Sequence, residues 1–291
     1  MKIGIVGSDN SHAIAYSKLI NVDRLLGDAA RVFGIWGQDP VRTQEVATTG
    51  QIATIVEAPD GLLGKVDTVF VVDRHGDLHA DHALPYLEAG IPVYVDKPFA
   101  ISLPDCRRML DAASKSGAFV TSMSSLRITP ETTGLANQIA TIGDIRAAQF
   151  AGPCDFSSEY GGPFFYATHV LEIALRLLSD EVKTIQAERA GQTVVVNAVW
   201  ANDRQATHTY LGDAHYHFHA TLFGTEGMVS GEIHANTDGY AEIVKQVLAA
   251  IEANARPLSD RQLLLPIAAV HAIQTSLKED GKSIAIDNIL A

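Results

Sequence analysis

Two segments carry side chains that could exchange protons with a ligand. Lys97 follows Asp96 and the apolar run 91–95 (IPVYV). An amine at the carboxyl end of a buried parallel strand lies beside the ligand crevice, and burial or a cationic neighbour lowers its pKa into a range useful for proton transfer. His169 and Glu172 are three residues apart in a predicted helix and share one face, and histidine exchanges protons near neutral pH. Structural roles for both segments are the alternative.

The densest group of polar side chains lies in residues 73–82 (DRHGDLHADH), directly after a predicted strand. Its second half is predicted to be helical, which places His79 and His82 on one face. Loops at the carboxyl ends of strands bind ligands in doubly wound sheets, so we expect contact with a cofactor or substrate. A solvated helix start is the alternative. A metal site needs at least three converging ligands, and we expect none here.

The opening IVGSDNSHA stands where a dinucleotide-binding fingerprint belongs, at the first strand-to-helix turn. Of the pattern G-x-G-x-x-G only Gly7 matches, and Asp9 and His12 occupy the other two glycine positions unless the loop is shorter by about three residues. Asp9 would place a carboxylate near a phosphate, which is unfavourable, and a plain turn is the alternative. Gly37 stands where the ribose-binding acid is expected, and Asp39, two residues later, can cap a helix. The sequence therefore does not distinguish NAD from NADP.

Composition restricts the class of protein that these residues can belong to. The 291 residues are 47% apolar and 19% charged, which is enough for about two packed domains. The net charge of -12 and the lack of a basic stripe argue against nucleic acid and anionic membranes as partners. Cys106 and Cys154 are too few for a disulfide framework, and no apolar run approaches the roughly 20 residues of a membrane span. We expect a cytoplasmic protein with a small-molecule partner, with no nucleic-acid or membrane partner.

The spacing of apolar runs predicts two domains of different architecture. Through residue 120, short strands alternate with helices of about 10–15 residues, which predicts a doubly wound parallel sheet, a Rossmann domain. Residues 121–291 carry consecutive strands and few helices, which predicts an α+β domain with an open, mainly antiparallel sheet. A strand at 216–223 would place the alternating His215, His217 and His219 on one face. We expect that face to be a subunit interface of a homo-oligomer, a dimer or tetramer.

Taken together, these segments resemble the Gfo/Idh/MocA family (glucose–fructose oxidoreductase / inositol dehydrogenase). Residues 78–98 resemble its H-A … A-L-E-A-G-K-x-V … E-K-P block, with aspartate in place of the usual glutamate. Residues 161–169 are similar to its G-G-x(6)-H segment, and residues 223–227 resemble its F-G-[ST]-x-G turn. Arg127 stands where the family often has an arginine at the entry to its second domain.

The resemblance implies an NAD(P)-dependent oxidoreductase that moves a hydride to or from a hydroxyl or carbonyl carbon of a sugar, polyol or related small molecule. It implies that residues 1–120 bind the dinucleotide, that residues 121–291 bind substrate and form the oligomer, and that Lys97 and His169 carry the proton transfer. The expected cofactor contacts are Gly7, Ser8, Asp9, Asn10, Asp73, Arg74, His79, Asp96, Lys97 and Pro98. The expected substrate contacts are Lys97, Arg127, Tyr160, Tyr166, His169 and Glu172.

One departure from the family pattern affects His169. Phe165 stands four residues before it, where many members have aspartate. We therefore expect Phe165 to be an apolar wall, and Glu172, one turn on, is the substitute to examine for orienting His169. Two other functions stay open: a protein of this fold without redox turnover that binds or regulates, and a non-redox lyase that uses Lys97 and His169.

Overall fold

Short apolar runs separated by helices build a parallel sheet of six strands, in the order β3-β2-β1-β4-β5-β6. The strands are β1 Lys2–Val6, β2 Arg31–Trp36, β3 Thr54–Ile55, β4 Thr68–Val71, β5 Val93–Val95 and β6 Val120–Ser122. The order reverses between β1 and β4, and doubly wound sheets bind ligands at the carboxyl ends of such a pair. The predicted Rossmann sheet is confirmed, and only the two-residue β3 was not predicted.

Three of the four helices that connect these strands begin at a capping side chain, from Asn10, Asp39 or Ser102. The four helices are α1 Ser11–Ser17, α2 Pro40–Thr49, α3 His79–Glu88 and α4 Leu103–Ser116. A π-helical turn, Lys18–Val22, continues α1 and ends at Val22. The side chain of Asn21 explains this end, because its amide group bonds to the backbone of Val32 in β2 and to the carbonyl of Gly50 after α2.

A second sheet has seven strands, in the order β12-β11-β7-β10-β9-β8-β13. Along the chain the elements are α5 Pro130–Gln138, β7 Ile145–Pro153, α6 Ala167–Leu178, β8 Val182–Ala190, β9 Thr193–Trp200, β10 Gln205–Leu211, β11 Phe218–Gly224, β12 Met228–Ile233, α7 Thr237–Glu252, α8 Asp260–Lys278, β13 Ile284–Ala285 and α9 Ile286–Leu290. Only β7 and β10 pair in parallel, and the other neighbours are antiparallel. The predicted mainly antiparallel sheet is therefore confirmed.

One face of this second sheet packs against helices. Residues Ala206, His208 and Tyr210 alternate along β10 and are buried, whereas the residues between them are partly exposed. Helix α6 packs on β7 and β11 with nearly all of its side chains buried. Burial of alternate residues on one side is the pattern expected of a sheet with one covered face.

The sequence predicted a strand at 216–223 that carries three alternating histidines, and the predicted first residue of this strand is wrong. Strand β11 begins at Phe218, so His215 and His217 lie in the preceding loop and only His219 lies in the strand. The rings of His215 and His217 contact each other, with centroids 4.2 Å apart. The histidines therefore do not form one strand face.

The computed structural model describes residues 1–291, and these divide into two units. The first unit comprises Met1–Met123 and Tyr240–Leu263, and the second comprises Ser124–Gly239 and Leu264–Ala291. The predicted division near residue 121 did not include the return of the chain to the first unit at Tyr240. The assignment of cofactor binding to 1–120 and of substrate binding to 121–291 stays a prediction. None of the helices has the length and apolarity that a bilayer span requires.

Candidate active site

Lys97 lies at the carboxyl end of β5, as predicted, and is 6% exposed. Burial lowers the pKa of its amine to about 8; the Asp96 carboxylate opposes this change and the Arg74 guanidinium adds to it. About a tenth of such amines are uncharged at pH 7. Lys97 can therefore both accept and donate a proton near neutral pH.

The Asp96 carboxylate beside Lys97 is held by four hydrogen bonds. Oδ1 accepts the backbone N–H of Lys97 at 2.9 Å and the Tyr94 hydroxyl at 3.4 Å. Oδ2 accepts the amide of Asn10 at 3.3 Å and the Nδ1–H of His12. Two of the predicted cofactor contacts, Asn10 and Asp96, thus bond to each other inside the protein.

Burial alone would raise the pKa of the Asp96 carboxyl, but its neighbours outweigh that effect. Electrostatic interactions with His12, Lys97 and His79 and the hydrogen bond from His12 leave its pKa below the ordinary value. Asp96 is therefore a fixed anion beside Lys97.

Gly7 ends β1 in a conformation that only glycine adopts readily, with φ +98°. A Cβ atom built on it would lie 2.6 Å from the backbone nitrogen of Asp73, so no side chain fits where β1 passes the residue after β4. The next residue, Ser8, is buried, and its hydroxyl lies 2.9 Å from that of Thr43. The turn therefore approaches the switch point of the sheet closely, as a dinucleotide-binding turn must.

Asp9 stays at the surface of this turn, where its Oδ1 accepts the backbone N–H of Arg74 at 3.1 Å. Burial raises the pKa of the Asp9 carboxyl, the hydrogen bond from Arg74 opposes this change, and the Asp73 carboxylate adds to it. The role of Asp9 at a phosphate stays a prediction.

At the end of β2, glycine stands at the position expected for a ribose-binding acid. The cation nearby, Arg42, is paired through its Nη1 with Glu45 Oε2 at 2.7 Å. A Cβ on Gly37 would lie 2.0 Å from the Ser8 hydroxyl oxygen, so an aspartate at this position would displace Ser8. Asp39 is used as the cap of α2, where it accepts the backbone N–H groups of Val41 and Arg42. The side chain of Arg42 reaches the turn, and its Nε donates to the Ser8 carbonyl at 3.2 Å.

The loop after β4 is held by histidines. Asp73 is buried, and its carboxylate binds the Gln38 amide and His82 Nδ1, the latter at 2.8 Å. The ring nitrogens of His79 lie 2.7 Å from the Pro98 carbonyl and 3.0 Å from the Asp73 carbonyl. His79 therefore links the loop after β4 to the segment after β5. The described histidines, cysteines and acids form no group of three that could hold a metal ion.

In the second unit, His169 is the third residue of α6 and is 6% exposed. Its Nδ1 lies 2.6 Å from the Ser124 hydroxyl, which also accepts the backbone N–H of Leu126 at 3.1 Å. Ser124 therefore orients the imidazole. The sequence suggested Glu172 as the residue that orients His169. Glu172 instead accepts a hydrogen bond from Arg127 Nη1 at 3.1 Å.

Arg127 and Glu172 form a buried ion pair. Burial raises the pKa of the Glu172 carboxyl, and Arg127 opposes this change. Breaking such a pair leaves an uncompensated buried charge, which is costly. Both were predicted substrate contacts, and the structure brings them together as partners of each other.

Aromatic rings surround the start of α6. Tyr160 and Phe165 are in contact with centroids 5.2 Å apart, and Phe165 contacts Tyr166 at 4.9 Å. Tyr166 in turn lies 5.8 Å from the His169 ring. The chain turns at Gly161, which has φ +91°, and this turn brings Tyr160 back to Phe165. The predicted substrate residues Tyr160, Tyr166 and His169 thus lie together with Phe165.

Residues 1–123 match a model of the Gfo/Idh/MocA family, which is described as an oxidoreductase family with an NAD-binding Rossmann fold. Inositol 2-dehydrogenase 3 of Saccharopolyspora erythraea is 27% identical over 118 residues, which make up 40% of this chain and 33% of that protein. The match therefore spans only a third of this relative's length.

Solved structures are similar over nearly the whole chain. The scyllo-inositol dehydrogenase of Lactobacillus casei, solved with NAD(H) and scyllo-inositol, has a TM-score of 0.85 and 15% identity, with 99% of each chain covered. A myo-inositol dehydrogenase from Corynebacterium glutamicum has a TM-score of 0.82 and 13% identity, with 98% of each chain covered. These likenesses establish the shared fold. Residues 1–123, by their match to the family model, are similar to the NAD-binding Rossmann domain of the Gfo/Idh/MocA oxidoreductase family.

Proposed function

We propose that this chain is an NAD(P)-dependent oxidoreductase that moves a hydride to or from a hydroxyl or carbonyl carbon of a sugar, polyol or related small molecule. The observation that carries the proposal is the buried Lys97 amine at the end of β5, with its pKa lowered to about 8. The names of two similar proteins, an inositol 2-dehydrogenase and a scyllo-inositol dehydrogenase, support a polyol as substrate.

Several features of the first unit fit a dinucleotide. Gly7 leaves no room for a side chain where the turn meets the Asp73 backbone, and β1 and β4 form the switch point of the sheet. The turn 7–10 would hold the pyrophosphate through its backbone, and Arg42 would supply a positive charge on the adenosine side. The bound nicotinamide supplies a hydride acceptor or donor at its C4.

Lys97 carries the proton that accompanies the hydride. In the oxidative direction its uncharged amine accepts the hydroxyl proton of the substrate while the carbonyl group forms; in the reductive direction its ammonium returns that proton. Asp96 keeps a negative charge beside the ammonium form. Proton transfer by Lys97 in this way needs no metal ion.

His169 is the candidate acid–base residue of the second unit. Because Ser124 engages its Nδ1, proton exchange or hydrogen bonding with the substrate falls to Nε2. The rings of Tyr160, Phe165 and Tyr166 beside it offer flat apolar surfaces with hydroxyl groups at their edges. Such surfaces suit a polyol, whose C–H faces pack on aromatic rings while its hydroxyls form hydrogen bonds.

Three experiments test this proposal. Titration of the protein with NADH and with NADPH, followed by nicotinamide fluorescence, should show saturable binding. A panel of inositols and sugars with the oxidised cofactors should then identify a substrate. Lys97→Ala and His169→Ala should each reduce turnover by about 10²–10⁴-fold and leave cofactor affinity within a few-fold. Unchanged turnover in Lys97→Ala would exclude the assignment.

A binding protein without redox turnover is the second candidate function. The observation that favours it is Asp9, whose carboxylate stands on the turn where a glycine normally admits the pyrophosphate. Failure of both NADH and NADPH to bind at millimolar concentration would support this second candidate. Asp9→Gly should then create measurable binding, whereas in a functional dehydrogenase it should only strengthen it.

A further inference from the structure

A chain of buried side chains occupies the position at which a dinucleotide fingerprint has its last glycine. His12 stands there, as the second residue of α1, and is 8% exposed. Its Nδ1 donates to Asp96 Oδ2, and its Nε2 lies 3.0 Å from the Tyr240 hydroxyl. A glycine at this position serves close packing of helix on strand. The buried His12 imidazole differs from such a glycine because both of its nitrogens have polar partners, Asp96 and Tyr240.

The partners of His12 come from distant parts of the sequence. Asp96 is 84 residues away and Tyr240 is 228 residues away, and both belong to the first unit. The Tyr240 ring packs on the imidazole with centroids 4.7 Å apart and on Tyr16 at 5.9 Å. These ring contacts fix the plane of the imidazole and therefore the direction of its Nδ1–H bond.

That bond points at the carboxylate which controls Lys97. The Asp96 oxygens accept His12 and Asn10 on one side and Tyr94 and the Lys97 backbone on the other. Rotation of the carboxylate would break several of these bonds at once. Without His12, Oδ2 would still accept the longer hydrogen bond from the Asn10 amide, at 3.3 Å.

We infer that His12 is a positioning residue for proton transfer, which acts by fixing the Asp96 carboxylate next to Lys97, with Tyr240 holding the imidazole from behind. This inference rests on the proposed function, since it takes Lys97 as the proton-transfer group. The charges that act on Lys97 itself are Asp96 and Arg74. The titratable groups around Asp96 are His12, His79, Tyr94, Lys97, Tyr16 and Tyr240.

His12→Gly, which restores the fingerprint glycine, tests the inference directly. With its carboxylate partner less fixed, the Lys97 ammonium loses support, so we expect its pKa to fall by about half a unit to one unit. The pKa is measured by NMR titration of the lysine Cε signal in protein labelled with ¹³C-lysine, assigned with Lys97→Arg. This readout requires neither cofactor nor substrate.

Three further variants separate positioning from stability. His12→Asn keeps an N–H donor, so the pKa of Lys97 should fall less than in His12→Gly. Tyr240→Phe should also lower the pKa of Lys97, by a smaller amount than His12→Gly. The matched control is Ser17→Ala, in the same helix, because its hydroxyl bonds only to the carbonyls of Ala13 and Ile14. It should lower the melting temperature and leave the Lys97 pKa unchanged.

Turnover then connects this result to the reaction. In the oxidative direction, the acid limb of the pH profile of kcat/KM should move to lower pH in His12→Gly together with the amine pKa, and kcat should fall. A Lys97 pKa unchanged in both His12→Gly and Tyr240→Phe overturns the inference. A shifted pKa in a protein that never turns over any substrate supports the positioning role and rejects the proposed function instead.

Discussion

His208 makes the acid stability of the second unit predictable. It lies in β10 among the rings of Phe150, Trp200 and Tyr210. Its Nδ1 lies 3.4 Å from the Tyr210 hydroxyl, and its Nε2 has no hydrogen-bond partner. Burial lowers the pKa of His208 from 6.5 to about 3. The ring is therefore neutral in the folded protein at any pH at which the protein works.

The depressed pKa sets both the direction and the size of the effect. Between pH 6.5 and about pH 3 the unfolded chain binds a proton at His208 that the folded chain does not. The contribution to stability is therefore complete above about pH 6.5 and is lost as the pH falls, by about 1.36 kcal/mol per pH unit. At about pH 5 the free energy of unfolding should be lower by roughly 2 kcal/mol for this reason alone.

His208→Phe removes the titration and keeps an aromatic ring in the same space. Urea unfolding at about pH 8 and about pH 5 should show that the wild type loses roughly 2 kcal/mol more than the variant. Trp200, whose ring stacks on His208 at 5.8 Å, reports the unfolding of this unit by fluorescence when the other tryptophan is removed by Trp36→Phe. The same substitution at the exposed His215 serves as control. Equal losses in wild type and His208→Phe would refute the reasoning and show that His208 is protonated in the folded state.

Three other expectations follow from the geometry of the site. Ser124→Ala should lower kcat about tenfold through loss of the hydrogen bond that orients His169. Ser124→Thr keeps a hydroxyl and should retain most of the wild-type kcat. An equal loss of kcat in both variants would exclude an orienting hydroxyl. Arg42→Ala should weaken the binding of NADPH about tenfold and that of NADH much less, since a phosphate bond to a cation is lost, and equal weakening measured by fluorescence would make Arg42 structural. The open face of the second sheet, which includes the exposed Val195, should form a subunit contact, and a monomer by light scattering at micromolar concentration would contradict this.

Local pattern was sufficient for most of the fold. The apolar runs at 2–6 and 31–36 are strands in the structure, and the segment Leu103–Ser116 is a helix. The periodic spacing of their side chains comes from the element itself. Strand β3 was not predicted because two residues are too few to show an alternation of apolar and polar side chains. Helix α5 was not predicted because its mixed composition gives it only a weak apolar face.

The contacts that define the site were harder to predict because they join distant residues. Lys97 was found from its place after a strand, but its pKa depends on burial that no single segment encodes. Ser124 is a serine in a loop, and nothing in the sequence linked it to His169, 45 residues later. The one usable signal was His12 in a glycine position. It indicated a degraded fingerprint, and only the structure shows the partner that explains it.

The return of the chain to the first unit at Tyr240 has a consequence for synthesis on the ribosome. Domains generally fold N-terminal first as they emerge from the ribosome, which adds about 5–20 residues per second. Here the first unit lacks Tyr240–Leu263 until the whole stretch Ser124–Gly239 has been made, which takes roughly 6–23 s. During that interval the nascent first unit lacks the hydroxyl that meets His12. The second unit is therefore largely synthesised before the first unit is complete. A nascent chain that stalls after Met123 exposes the surface of the first unit that Tyr240–Leu263 covers in the finished protein.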